Sequence, residues 1–196
     1  MAILPDGVVI LMGRNWKKHA AFMISVPLLF AAALAGWQVD CFQIYDEKGD
    51  LIFSAPAANG NKFTTRYVHS VERTPVEDEY RIVGGRIWMW EERVRSSNAG
   101  LPSMKPPRGS FIESDEWFIY QGGRRSVSEY YYRIGNELFG LNQADFEPFG
   151  RRDFYRAFKG ERLHVAVKTV NLLSAKVFVS EKLSRLPTGV PAVLGN

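Results

Sequence analysis

The residues best suited to chemistry lie in one short segment, Tyr67–Tyr80. His69 and Ser70 are adjacent there, and Glu72 and Glu79 follow shortly after them. In a serine hydrolase a base must reach the nucleophile, and an acid must orient that base. Neighbouring residues of a strand point to opposite faces, so His69 and Ser70 would diverge. The segment also lacks the G-x-S-x-G elbow, and it therefore disfavours a serine hydrolase.

Two other interpretations of this segment stay open. His69, Glu72 and Glu79 could converge across a turn on a metal ion, because imidazole and carboxylate form a plausible ligand set. Alternatively, His69 is a partly buried side chain that hydrogen-bonds Ser70, Thr74 or a backbone group. Pro75 would then hold Thr74 in an extended conformation. The same surface could also bind a partner.

A second conspicuous segment is Asn98–Pro102. Gly100 can adopt a positive φ angle, and Pro102 stiffens the chain where it leaves the loop. The tryptophans Trp88, Trp90 and Trp117 are expected in the core rather than on a ligand-binding surface. The Gly-Gly pairs lack the spacing of phosphate-binding loops, and no residue pattern indicates a cofactor.

These segments must be positioned by strands. Phe42–Tyr45 and Leu51–Phe53 flank a polar turn, and Lys62–His69 alternates between two faces. Glu79–Val83 and Arg86–Val94 flank Gly84-Gly85, which is a hairpin signature. In the second of these strands, alternation places Ile87, Met89 and Glu91 on one face and Trp88, Trp90 and Glu92 on the other.

Further strands are predicted at Glu116–Gln121 and Arg162–Val170, with a hairpin of Glu129–Ile134 and Glu137–Leu141 around Gly135-Asn136. Short strands at this spacing predict an all-β fold, a sandwich or barrel of short antiparallel strands. Near the end of the chain, a stripe of apolar and small residues at helical spacing favours a C-terminal amphipathic helix after the last strand. The stripe consists of Val167, Val170, Ser174 and Val177.

Composition restricts the class of protein. The chain has 196 residues, a formal net charge of +4, 13% aromatic residues and one cysteine. A single cysteine excludes an intramolecular disulfide framework and a cysteine-rich zinc module. The high aromatic fraction is typical of a β-rich core or a binding surface. Residues 151–196 carry nine Lys and Arg against three acidic residues, so the end of the chain is basic.

The N-terminal region predicts an export or anchoring signal. A basic cluster, Arg14–His19, precedes Ala20–Gly36, which carries no charge, and Trp16 and Trp37 bracket that run. This pattern predicts one transmembrane helix over residues 20–37, with a cytoplasmic N-terminal segment 1–19. The alternatives are a signal peptide cleaved after Ala33-Leu34-Ala35 and a buried core helix. Both the anchor and the signal peptide place a β-domain of residues 38–170 in the periplasm, followed by a basic extension 171–196, and argue against a nucleic-acid partner.

The two motif segments together carry a resemblance. The residues Tyr67, His69–Glu72 and Thr74–Val76, followed by Ala99–Pro102, resemble the bacterial domain-of-unknown-function family 1850. The segment Trp117–Ile119, the pair Arg124-Arg125 and the strand Tyr131–Ile134 are also similar to the family, so the resemblance covers residues 42–163. It implies a small exported domain associated with tripartite ATP-independent periplasmic (TRAP) transporters of the TAXI type, without established enzymatic activity.

The resulting hypothesis is a non-catalytic, membrane-anchored accessory subunit without a cofactor. It would sit in the inner membrane as a single-pass protein with its C-terminal domain in the periplasm. Its partners would be inner-membrane lipid and a TRAP permease, its solute-binding protein, or both. The alternatives are a periplasmic metal-assisted hydrolase and a released small-molecule-binding protein. The predicted interface or motif residues are Tyr67, His69, Ser70, Glu72, Thr74, Pro75, Glu79, Gly100, Leu101 and Pro102.

Overall fold

The computed structural model describes residues 16–122, 125–147 and 149–187. Predictions for residues 1–15, for Arg124 and for the C-terminal residues 188–196 lie outside the described residues. The described part of the chain forms two compact units. One consists of residues 16–38 with 171–173, and the other of residues 39–170 with 174–187.

The first unit consists mainly of the helix α1 (Trp16–Gly36). A helix over the uncharged run is therefore confirmed. Its apolar side chains are exposed, as shown by Phe22 at 67% and Leu28 at 70%. Among the described residues, no helix has the length and apolarity needed to cross a membrane, so the predicted transmembrane helix is not supported.

The second unit is built from short strands, which confirms the all-β prediction. The first seven strands are β1 (Gln38–Tyr45), β2 (Leu51–Pro56), β3 (Lys62–Val68), β4 (Pro75–Val83), β5 (Arg86–Val94), β6 (Gly109–Glu113) and β7 (Phe118–Gly122). The remaining elements are β8 (Ser126–Val127), β9 (Glu129–Arg133), β10 (Gly140–Phe146), β11 (Gly150–Arg152), α2 (Phe154–Ala157), β12 (Arg162–Asn171), β13 (Phe178–Val179) and α3 (Glu181–Ser184).

The strands form two sheets. The smaller sheet has the order β13-β2-β1-β12-β9, and the larger one has the order β11-β10-β3-β4-β5-β7-β6, with β8 paired to β5. Aromatic rings join their inner faces. The ring centroids of Phe42 and Phe63 are 4.7 Å apart, and those of Phe53 and Phe146 are 4.8 Å apart. Each pair takes one ring from each sheet, so the sheets pack face to face as a sandwich around an aromatic core.

Two of the three predicted hairpins are present. Asp46 closes the β1–β2 turn, because its carboxylate accepts the backbone N–H groups of Lys48 and Asp50, both at 2.9 Å. Gly84 and Gly85 join β4 to β5 with φ angles of 58° and 67°. Two successive positive φ angles are what a type I′ turn requires, and glycine adopts them at little cost.

Two predictions about the later part of the chain are wrong. The strands β9 and β10 do not form a hairpin: β9 pairs with β12 in the smaller sheet, and β10 pairs with β3 in the larger one. The chain therefore crosses from one sheet to the other at Gly135-Asn136. The C-terminal stripe is also not helical. Val167 and Val170 lie in β12, and the only helix described after β12 is the four-residue α3.

Packing explains the difference at the C-terminus. The strand β13 pairs with β2 and so completes one edge of the smaller sheet. Leu183 of α3 is 1% exposed and belongs to the main core. This part of the predicted basic extension therefore packs with the sheets, because burial of its apolar residues outweighs a weak helical periodicity.

Candidate functional site

The first motif segment forms the connection between β3 and β4. The backbone N–H of His69 donates to the carbonyl of Thr74 at 2.8 Å, and the N–H of Arg73 donates to the carbonyl of His69 at 2.9 Å. The Nδ1 atom of His69 accepts the N–H of Glu72 at 3.2 Å. His69 thus accepts a backbone hydrogen bond within its own turn, as predicted for a histidine with a structural role. Ser70 is exposed.

Glu72 connects this turn to the second motif segment. Its carboxylate accepts the hydroxyl of Ser96 at 2.8 Å, and that hydroxyl accepts the N–H of Asn98 at 3.3 Å. Ala99 and Gly100 then turn the chain with φ angles of 54° and 87°. The structure therefore brings together the two segments that are separated in the sequence.

Apolar packing holds the same two segments from the inside. Leu101 is 8% exposed and packs with Val76, Val94 and Tyr120, which form a small cluster apart from the main core. Tyr67 packs against this cluster. Burial, together with the negative charges of Asp78 and Glu92, raises the pKa of Tyr67. Tyr67 is therefore held in its neutral form beside this apolar cluster.

The turn also contacts a third loop, which sequence reasoning missed. Arg73, with a φ angle of 56°, donates from its guanidinium to the carbonyl of Leu138 at 3.3 Å. The same guanidinium lies 4.8 Å from the ring centroid of Phe139. We call the three loops 69–74, 95–102 and 135–139 the loop end. It lies at the end of the larger sheet where β3 stops and where β4 and β10 begin.

The loop end combines satisfied polar groups with exposed apolar ones. Val71 is 69% exposed, Leu138 is 76% exposed and Phe139 is 48% exposed. The polar side chains of His69, Glu72 and Arg73 are used within the molecule. The loop end therefore presents these three apolar side chains to solvent, while its hydrogen-bonding side chains hold its own turns.

Removing the His69 ring should test its structural role. We expect His69→Ala to lower the free energy of unfolding by about 1 kcal/mol, because the N–H of Glu72 loses its acceptor. His69→Asn should lose less, since asparagine often accepts such a turn bond. Ser70→Ala is the matched control and should stay within about 0.5 kcal/mol. Urea unfolding of the full-length chain measures all three, and an unchanged stability of His69→Ala would contradict this role.

Glu79 lies away from the loop end, on the outer face of the larger sheet. It pairs with Thr64, five residues before His69 along β3, which corresponds to about 16 Å along the strand. Its carboxylate contacts Lys62 at 3.0 Å, Arg81 at 2.6 Å and Arg93 at 3.4 Å. Glu79 is therefore part of a charge network, and the predicted convergence of Glu79 with His69 and Glu72 is wrong.

Arg93 extends this network across three strands. It contacts Glu77 of β4 at 3.3 Å and also pairs with Glu91 of β5, whose carboxylate accepts from Gln121 of β7 at 2.8 Å. Glu91 reaches this face because the β4–β5 register shifts between Glu79 and Tyr80. The shift separates Glu91 from Ile87 and Met89, contrary to the predicted alternation, since a bulge moves the following residues to the other face.

The network makes stability depend on pH in a defined direction. Burial raises the pKa of Glu79, but the hydrogen bonds and charges of Lys62 and Arg81 lower it more, so the folded-state pKa lies below the ordinary value. Because its folded-state pKa is lowered, the ionised Glu79 carboxylate stabilises the fold. This stabilisation is fully present above the unfolded-state pKa and is lost as the pH falls through the folded-state pKa.

We expect Glu79→Gln to be less stable than the wild type by about 2 kcal/mol at pH 7, because it loses charge-assisted bonds. This difference should shrink as the pH falls below about 4.3, where the unfolded carboxyl group becomes protonated. Unfolding curves across this pH range measure it. Glu113→Gln, at an exposed residue, is the control. A difference that does not change with pH would contradict the assignment.

The expectation that the tryptophans are buried is wrong for two of them. Trp88 is 40% exposed and Trp90 is 44% exposed, and Val83 beside them is 46% exposed. Together with Gly60 and Arg81 they line an open recess of about 400 Å³. Strand β5 buries Ile87 on its inner face, so the alternation of a strand places Trp88 outside.

The metal interpretation finds no geometric support in the described residues. Among them, no group of three or more His, Cys, Asp or Glu side chains could hold a metal ion. His69 Nδ1 and the Glu72 carboxylate are both occupied by other partners. The described loop end offers hydrogen-bonded side chains and apolar surface instead.

Comparison with known proteins bears on this part of the chain. Residues 63–142 match the family model of a domain of unknown function, DUF1850. The resemblance stated from the two motifs is thereby confirmed, over a narrower range than residues 42–163. The DUF1850 match includes the whole loop end, from the His69 turn to the Leu138 loop. The chain matches no curated protein and no solved structure.

Proposed function

We propose that this protein is a non-catalytic accessory subunit of a TAXI-type TRAP solute transporter. One observation carries the proposal: the DUF1850 motif residues build the loop end, a surface with internally satisfied polar groups and exposed apolar side chains. Val71 and Leu138 are exposed at its tips. Such a surface suits contact with another protein. The predicted partner is the permease, its solute-binding protein, or both.

The motif residues divide into two roles in this proposal. His69, Glu72 and Arg73 fix the shape of the loop end through the contacts described above, and Thr74 and Pro75 lead into β4. Leu101 anchors the second loop from the inside, where it is 8% exposed. Ser70 and Val71 face the partner. A surface fixed in this way binds with little loss of conformational freedom.

Attachment to the inner membrane is part of the proposal. The uncharged run Ala20–Gly36 follows a basic cluster, and the described α1 exposes large apolar side chains such as Phe22 and Leu28. The positive charges on the N-terminal side favour an N-in orientation. Intact mass of the mature protein tests this part, because a mass that lacks residues 1–35 would show a cleaved and released form.

A pull-down tests the partner. Full-length protein with a C-terminal tag is purified from its native membrane in mild detergent, and mass spectrometry identifies the proteins that accompany it. We expect a TRAP permease in near-equal amount. Recovery of the tagged protein without any TRAP component would contradict the proposal.

A further inference from the structure

The outer face of the smaller sheet carries a row of aromatic rings that is separate from the loop end. Tyr45 of β1 stacks with His164 of β12 at a centroid distance of 5.9 Å, and His164 stacks with Tyr131 of β9 at 5.1 Å. His164 and Tyr131 are directly opposed in the β9–β12 ladder. The row therefore crosses three neighbouring strands.

A cation lies at each end of this row. The ammonium of Lys168 is 4.4 Å from the ring centroid of Tyr45 and donates to its hydroxyl at 3.2 Å. The guanidinium of Arg162 is 4.2 Å from the ring centroid of Tyr131. Contact with an aromatic face positions a cation without neutralising its charge.

The two cations differ from the arginines on the outer face of the larger sheet. Arg66, Arg81 and Arg93 each pair with a carboxylate. Within the described part of the chain, neither Arg162 nor Lys168 forms an ion pair. The Arg162 guanidinium has five N–H donors, and the Lys168 ammonium uses one of its donors for Tyr45. Both groups are thus held in place while their charge and their other donors can still bind a ligand.

These side chains line one open recess of about 520 Å³, together with Asp46, Glu47 and Gly49 of the β1–β2 turn. The volume falls in the range of small-molecule sites. The Asp46 carboxylate already accepts two backbone N–H groups, from Lys48 and Asp50. Glu129 is turned to His164, with 3.0 Å between its Oε2 and Nε2. Glu47, an exposed side chain at the rim, is the remaining acid of the recess.

We propose that this recess binds a small organic dianion. Arg162 and Lys168 bind the two anionic groups, and the apolar middle of the ligand lies along Tyr45, His164 and Tyr131. The guanidinium can take a carboxylate in a bidentate manner, whereas the ammonium acts as a point charge. This binding activity goes beyond the proposed accessory role and does not depend on it, because none of the residues lies at the loop end.

Calorimetric titration of the full-length protein in detergent tests the site. The probes are terephthalate and biphenyl-4,4′-dicarboxylate, two rigid dianions of different length, and benzoate serves as the matched monoanion. We expect millimolar or tighter binding of at least one dianion, with benzoate about tenfold weaker. Arg162→Gln and Lys168→Gln should each weaken dianion binding about tenfold, which corresponds to the loss of one charge-assisted contact.

Lys159→Gln, at an exposed lysine in the same unit, is the control and should bind as the wild type does. Thermal unfolding of each variant shows that the fold is intact. The proposal is overturned if neither dianion binds at millimolar concentration. It is also overturned if folded Arg162→Gln and Lys168→Gln bind as the wild type does, or if Lys159→Gln weakens binding equally. The pull-down partner does not affect any of these results, so the two proposals fail separately.

Discussion

Under the proposed function, replacing Val71 and Leu138 together by aspartate should lower the amount of co-purified TRAP permease at least about tenfold, because burying a Val or Leu side chain is worth about 1.5 to 3 kcal/mol relative to leaving it exposed. Both side chains are exposed in the free protein, so the substitution removes partner contact without opening the core. The charge also makes desolvation of the surface unfavourable. Quantitative mass spectrometry of the pull-down gives the ratio of permease to tagged protein.

The matched control is Val177→Asp, which changes a valine that is 58% exposed and lies outside the loop end. This variant should recover the permease at the wild-type ratio. Urea unfolding of both variants should agree with the wild type within about 0.5 kcal/mol, as expected for surface substitutions. An unchanged permease ratio in a folded Val71→Asp, Leu138→Asp variant would place the contact elsewhere on the protein.

The second large effect is expected at Gly135. A Cβ atom at this position would lie 2.0 Å from the carbonyl oxygen of Phe139 and 3.1 Å from the Asn142 side-chain oxygen. The first of these neighbours is backbone, so it cannot move aside as the end of a flexible side chain would. We expect Gly135→Ala to lower the free energy of unfolding by about 3 kcal/mol, at the upper end of typical overpacking costs.

The hydrogen bonds around Gly135 explain why this cost is not relieved locally. Its N–H donates to the Asn142 side chain at 2.6 Å, and its carbonyl accepts the N–H of Gly160 at 3.3 Å. The turn that follows is held by Asn136, whose side-chain oxygen accepts the N–H groups of Leu138 and Phe139. Displacing the backbone would therefore break bonds in both directions.

Gly60→Ala separates steric from conformational effects. Gly60 has a φ angle of 90°, but no atom lies within 4 Å of a Cβ at that position. Alanine there should cost about 1 kcal/mol through the left-handed conformation alone. If Gly135→Ala costs no more than Gly60→Ala, the close approach to Phe139 is absent in solution.

Local sequence signals predicted the parts of the fold that depend on local chemistry. Gly84-Gly85 and the Asp46 turn specify their hairpins through backbone angles and a side-chain acceptor, and neither needs distant partners. The pairing of β9 with β12 could not be found in this way. Gly135-Asn136 indicates a turn, but whether the next strand joins the same sheet depends on packing across the sandwich.

The site was predictable to a similar extent. The motif singled out the residues of the β3–β4 turn, but β4 begins at Pro75, ahead of the strand start predicted at Glu79. Their division into shape-holding and exposed residues depends on Ser96 and Leu138, which contact Glu72 and Arg73 of this turn from two other loops. Trp88 and Trp90 were misassigned because aromatic residues are usually buried, whereas both lie on the face of β5 opposite the buried Ile87.

The strands β1 and β12 lie side by side in the smaller sheet, although they come from opposite ends of the β-domain. The hydrogen bonds of β1 toward β12 therefore cannot form until residues 162–171 have been synthesised. Bringing such distant segments together requires a large loss of chain entropy before any contact is gained, so topologies of this kind fold slowly. The smaller sheet should hence close only after the end of the β-domain has been made, whereas the hairpin of β4 and β5 in the larger sheet can form earlier.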